Sequence, residues 1–187
     1  FYIGRENSKT YKALLDSFRE ATGPIFLKAA RGMGKTILLR TLSAAADQNA
    51  LFNFLTVAQQ PEEKVLPRIF REFQIEFDTA NKETSLLKLH KEFRSRQMAG
   101  KETAIILDDA DFLPDDELQD IQLLAEFTAE RGKLVSLVLA TEGDAYQRYQ
   151  DSVQAYEGAP SHLVELPALT SEDIPRYLRH RLHVVGR

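Results

Sequence analysis

The sequence predicts an α/β protein, a parallel sheet with helices on both faces. Three observations predict it. Apolar runs around Ile25–Lys28, Leu51–Val57, Thr103–Leu107, Leu134–Ala140 and Leu163–Leu166 alternate with stretches of helical periodicity. A loop containing Gly32 and Gly34 and ending in Lys35-Thr36 joins the first run to a helix without a gap. The third run closes on Asp108-Asp109, which puts acid at the carboxyl end of a buried strand, the edge where open α/β sheets hold ligands.

Composition is that of an ordinary globular domain. The chain has 187 residues, 43% hydrophobic and 28% charged, enough for one such domain with a sizeable core. A net charge of −4 excludes a protein coated broadly with positive charge for nucleic acid, while leaving room for a local basic patch. With no cysteine there is neither a disulfide nor a thiolate metal site, and no apolar run approaches the ~20 residues that span a bilayer. The four histidines (90, 162, 180 and 183) lack metal-ligand spacing, so no metal is expected beyond Mg²⁺ carried with a nucleotide. These features fit a cytoplasmic protein. The chain opens on Phe1 rather than methionine and closes inside a basic helix, which reads as a fragment whose membrane anchor, if one exists, lies outside it.

Taken in order, Tyr11, Leu14, Leu15 and Phe18 make the apolar face of a first helix, capped by Asn7 or Ser8 and ended by Thr22-Gly23-Pro24. Ahead of it, Ile3-Gly4-Arg5 either folds over an adenine ring or is a plain lead-in. A strand over 24–28 precedes the loop, and the helix after it runs from Thr36 to about Asn49. The second strand, 51–57, is rich in aromatic and β-favouring residues. Pro61 starts the next helix, with Pro67 implying a late start or a kink. A helix around Leu86–Phe93, a third strand, a helix from Pro114 to Arg131, a fourth strand ending in Thr141-Glu142, a short helix carrying Arg148 and a last strand follow. Ser171-Glu172-Asp173 opens a final helix with basic residues toward its end, an order that suits the helix dipole.

The loop carries the chemistry. Two glycines let successive N–H groups turn inward as a nest for phosphate oxygens, and the following helix N-terminus favours an anion. The expected nucleotide-binding residues are Ala30, Arg31, Gly32, Met33, Gly34, Lys35, Thr36 and Ile37, with Ile3, Gly4 and Arg5 for the adenine. Lys35 would reach the β- and γ-phosphates, while Thr36 and Asp108 would hold Mg²⁺. Asp109 is placed to polarise an attacking water as general base, and Thr141 to sense the γ-phosphate. Ala29 stands where the GxxxxGK[ST] pattern has its first glycine. The loop is not GxGxxG, and no ribose-binding acid follows at the right distance, which excludes a dinucleotide-binding Rossmann reading.

These motifs, with Leu166-Pro167-Ala168-Leu169-Thr170 and Tyr177-Leu178-Arg179-His180-Arg181-Leu182, resemble the AAA+ branch of P-loop ATPases. Within that branch the chain resembles the ExeA-like (general secretion pathway A) ATPases and the cytoplasmic domains of DamX-like envelope proteins. The resemblance implies a three-layer αβα P-loop NTPase with a five-stranded sheet of order 5-1-4-3-2, ATP with Mg²⁺, and a homo-oligomer or protein partner in the envelope. It also implies an AAA+ core over 1–170 and the start of a truncated lid over 171–187. Three departures stand out. The acidic pair is Asp108-Asp109 rather than Asp-Glu; no arginine lies between Asp151 and Pro160, leaving Arg148 as the nearest candidate finger; and the rest of the lid is missing. The expected function is an ATP-hydrolysing switch that drives assembly or remodelling of a partner complex in secretion or division. The alternatives are a non-hydrolysing nucleotide-held scaffold and a DNA-associated ATPase using Arg176, Arg179 and Arg181.

Overall fold

The computed structural model describes residues 5–20, 22–45, 50–59, 62–129, 133–154 and 161–186. Five parallel strands form one sheet: β1 (Ile25–Lys28), β2 (Ala50–Thr56), β3 (Glu102–Asp108), β4 (Ser136–Thr141) and β5 (His162–Glu165). Their spatial order is β2-β3-β4-β1-β5, which is the expected 5-1-4-3-2 read from the other edge. The central strands β1, β3 and β4 are buried almost throughout, as continuous apolar runs covered on both faces must be.

Two apolar cores separate the faces. On one, α1 (Arg5–Glu20) and α2 (Lys35–Ala45) pack Leu14, Leu38, Leu39 and Leu42 against Ile25, Leu27, Ile106 and Val138. On the other lie α3 (Val65–Glu72), α4 (Lys82–Met98), α5 (Asp115–Ala129) and α6 (Ala145–Gln154), which close over Phe26, Ile105, Leu107 and Leu139. Successive sheet residues therefore serve opposite cores, the period-2 pattern of a strand. A final helix, α7 (Ile174–Val185), has Pro175 in its first turn and leaves Ile174, Leu178 and Leu182 exposed.

Local chemistry explains the boundaries. Helix α3 starts at Val65 rather than at Pro61, which lies outside the described residues; this is the late start that Pro67 implied, and it puts Pro67 in the first turn, where the missing N–H costs little. The Val65 N–H instead donates to the Glu117 carboxylate of α5 at 2.7 Å, an anion at a helix N-terminus. Asn81 caps α4 by accepting from the Thr84 N–H at 3.0 Å. A second expectation is corrected: α1 already runs from Arg5, so Asn7 and Ser8 lie within the helix rather than capping it.

Candidate nucleotide site at the carboxyl edge of the sheet

The sheet order sets β4 between β1 and β3, bringing the phosphate loop, Asp108 and Thr141 to one edge, with Lys28 in register with Thr141. Gly32 and Gly34 take φ of +79° and +92°, a conformation that only glycine adopts cheaply. Ala29 has no such demand. Its N–H donates to the Thr141 carbonyl at 3.0 Å, so the residue in place of the first glycine continues the sheet ladder, and a methyl group there is tolerated. The loop then curls, the Met33 N–H reaching the Ala30 carbonyl at 3.3 Å, before Leu38 N–H to Gly34 carbonyl at 2.9 Å begins the helical pattern.

Lys35 is 9% exposed, and its ammonium donates to the carbonyls of Ala29 (2.8 Å) and Ala30 (3.4 Å), holding the loop closed on itself. The Thr36 hydroxyl donates to Asp108 Oδ2 at 2.5 Å, and the other Asp108 oxygen accepts from the Asp109 N–H at 3.2 Å. Asp108 is thus buried and oriented at both oxygens. Beside it Asp109 sits in the left-handed region, φ 58° and ψ 44°, which turns its side chain out of the strand direction. Burial, then the Asp108 charge, push the Asp109 carboxyl above its usual range against the opposing pull of Lys35.

These residues border a cleft of about 450 Å³ lined by Arg31, Gly32, Gly34, Lys35, Thr36, Ile37 and Asp109. Of the other expected residues, Met33 packs against the core below and Ala30 contributes its carbonyl to Lys35. Ile3 and Gly4 lie outside the described residues, and Arg5 is described only as the first residue of α1. Thr141 is fully buried behind the cleft. Its hydroxyl donates to Asp111 Oδ1 at 2.5 Å. Arg148 lies away from the cleft, donating to Asp115 Oδ1 (2.6 Å) and to the Leu113 carbonyl (2.7 Å).

Residues beyond the expected set also belong to this region, Ala58 among them. Phe112 and Glu142 line the cleft, Phe112 being 65% exposed. Asp111 has a stronger part. Besides Thr141 it accepts from the N–H groups of Glu142 (2.6 Å) and Gly143 (3.0 Å). Burial pushes its carboxyl up, but the bonds from Thr141, Glu142, Gly143 and Ala145 outweigh that and hold it below the usual carboxylate range. Its spacing two residues beyond Asp109 is the signal that the sequence offers for it.

A sheet of this order, with a glycine-shaped loop running into a helix and a strand-end aspartate bonded to that helix's threonine, defines a P-loop nucleotide-binding domain. The family model described as AAA domain matches residues 19–149, and the chain belongs to that family. Its relatives agree. General secretion pathway protein A of Aeromonas hydrophila is 24% identical over 99% of this chain, which spans 34% of that protein. The Cdc6p structure from Pyrobaculum aerophilum superposes with a TM-score of 0.70 at 20% identity, over 98% of this chain and 50% of that one. Drosophila ORC bound to DNA superposes with 0.68 at 16% identity, over 95% and 46% respectively. Among the described residues no helix is long and apolar enough to cross a membrane.

Proposed function

We propose that this chain is an ATP-hydrolysing switch that binds MgATP in the cleft over its phosphate loop and uses the nucleotide to drive assembly or remodelling of a partner complex. The observation that carries it is the Thr36–Asp108 hydrogen bond at 2.5 Å, which sets two hard oxygen donors side by side at the loop. A hydroxyl that donates its proton to Asp108 keeps lone pairs for a cation, so the pair fits Mg²⁺, which takes few protein ligands and otherwise keeps phosphate and water oxygens. Bound Mg²⁺ would neutralise charge on the phosphates.

The chain's own residues supply the rest. Lys35 exchanges the carbonyls of Ala29 and Ala30 for phosphate oxygens, which releases the loop from its closed form. The loop's N–H groups other than that of Met33, with those at the start of α2, would receive phosphate oxygens. Asp109, with its raised proton affinity, accepts the proton of an attacking water. Thr141 acts through position: its bond to Asp111 fixes the tip of β4 beside the loop. Arg148 serves the same scaffold, its guanidinium holding the segment after β3 against α6.

Likeness to General secretion pathway protein A over nearly the whole chain supports a setting in secretion. Residues 1–170 are proposed as the nucleotide-binding core and 171–187 as the start of a lid. The DNA named with the ORC neighbour supports a second reading, in which the exposed Arg176 and Arg179 of α7 contact phosphates. ATP turnover measured against protein concentration tests the first. A rate per subunit that rises with concentration is expected of a site completed by a neighbouring copy. Background turnover at every concentration, with or without duplex DNA, would overturn the proposal.

A further inference from the structure

The outer edge of the sheet carries a second groove, none of whose lining residues borders the phosphate-loop cleft. Among the described residues strand β2 pairs with β3 alone, which leaves its other edge without a strand partner there. Helices α2 and α3, from opposite faces of the sheet, flank that edge and enclose a volume of about 660 Å³. Arg40, Phe52, Phe54, Thr56, Arg68 and Arg71 line it.

Its charge is unusual. Arg68 is only 4% exposed, and its Nε is buried with no hydrogen-bond partner. Its guanidinium makes one bond, from Nη2 to the Thr56 carbonyl at 2.9 Å, and no carboxylate among the described residues pairs with it. A cation removed from water without an acid costs several kcal/mol unless something compensates it. Arg40 is exposed over the Phe54 ring, 5.1 Å from its centre, and likewise makes no ion pair among the described residues. Arg71 pairs with Glu63 at 2.5 Å, and Glu72 is the acid inside the groove, so positive charge dominates.

We propose that the free edge of β2 docks an extended acidic peptide segment of a protein partner, which adds as a strand beside β2 and sets carboxylates against Arg40, Arg68 and Arg71. Main-chain pairing with an open edge supplies affinity, and side chains at alternate positions supply specificity. Planar guanidinium groups match carboxylates in two-bond pairs. The half-buried Phe52 and Phe54 rings add apolar surface for the segment's other side chains. A nucleic-acid backbone fits less well. Arg68 is recessed between helices of opposite faces, where a duplex cannot enter and a single extended chain can.

The test uses a fluorescein-labelled octapeptide of Val-Val-Glu-Glu repeats, whose glutamates fall on both faces of an added strand, beside its glutamine counterpart, with anisotropy giving affinity and backbone amide NMR giving the site. The glutamate peptide should bind about tenfold or more tightly than the glutamine one, shifting amides of 50–56. Arg40→Glu with Arg71→Glu should weaken it about tenfold or more, while the unfolding temperature and its rise with MgATP stay at wild-type values. If the double variant fails to fold, Arg40→Gln at its exposed site carries the test and should weaken binding about threefold. Equal affinity for the two peptides, unchanged binding by the variants, or shifts confined to other amides would overturn the proposal. So would a short DNA duplex that displaces the peptide with the same arginine dependence, which would make the groove a phosphate site.

Discussion

Asp111 accepts a hydrogen bond from the Thr141 hydroxyl at 2.5 Å, joining the loop after β3 to the tip of β4 across 30 residues of sequence. Both carboxylate oxygens are engaged: Oδ1 by Thr141 and Gly143, Oδ2 by Glu142. Each partner is a donor. Asp111→Asn therefore turns an N–H group against another donor, and should destabilise the fold nearly as much as Asp111→Ala, by about 2–3 kcal/mol in denaturant unfolding. Rescue by asparagine would contradict this reading of the site.

The same carboxyl gives a pH dependence. Its proton affinity in the fold is lowered from an ordinary value of 3.8, so the folded state binds fewer protons than the unfolded chain as pH falls. Its contribution is complete above 3.8 and is lost as pH drops through the lower folded value. Unfolding free energies of wild type and Asp111→Ala should converge only in that acid range. Convergence near neutral pH would point to another group.

Asp109 behaves in the opposite sense. Its raised proton affinity means that the ionised form opposes folding at neutral pH, and its left-handed backbone suits asparagine as well as aspartate. Asp109→Asn should raise the unfolding temperature without nucleotide by about 1–2 °C, while lowering turnover by about a hundredfold or more. Gain of stability with loss of rate marks a residue held at a cost for chemistry. A variant less stable than wild type, with turnover intact, would remove Asp109 from the mechanism.

Arg148 separates two roles. As a scaffold residue, tied to Asp115 and the Leu113 carbonyl, its replacement by alanine should cost about 1 kcal/mol of stability and change turnover little. An arginine presented to a neighbour's phosphate is worth about 10³–10⁵ in rate. Loss on that scale, with unfolding unchanged, would show that Arg148 leaves its own chain in the assembled state.

Much of this site was legible in the sequence because its signals are local. Gly32, Gly34, Lys35 and Thr36 are contiguous, and their loop conformation follows from residue type alone. Asp108 was legible for a related reason: an apolar run that stops at an acid marks a strand end wherever that strand sits. The cage around Thr141 was hidden because it exists only once β3 and β4 lie side by side, and nothing within either segment specifies the partner. Arg148 was hidden in the same way, its acceptors lying 33 and 35 residues upstream. The charge of Arg68 was invisible for a third reason: in sequence it is one arginine of an amphipathic helix, and only its burial against the β2 edge leaves it without an acid.

Thermal unfolding with increasing MgATP, on wild type beside Lys35→Ala, decides whether MgATP binds at the phosphate loop. A ligand held only by the folded state adds about 2.7 kcal/mol at a hundred times its dissociation constant, or about 5–10 °C for a domain of this size. Wild type should show that rise, and Lys35→Ala should lose it through an affinity lower by about tenfold or more. No rise at millimolar MgATP, or the same rise in both proteins, would contradict binding at that loop.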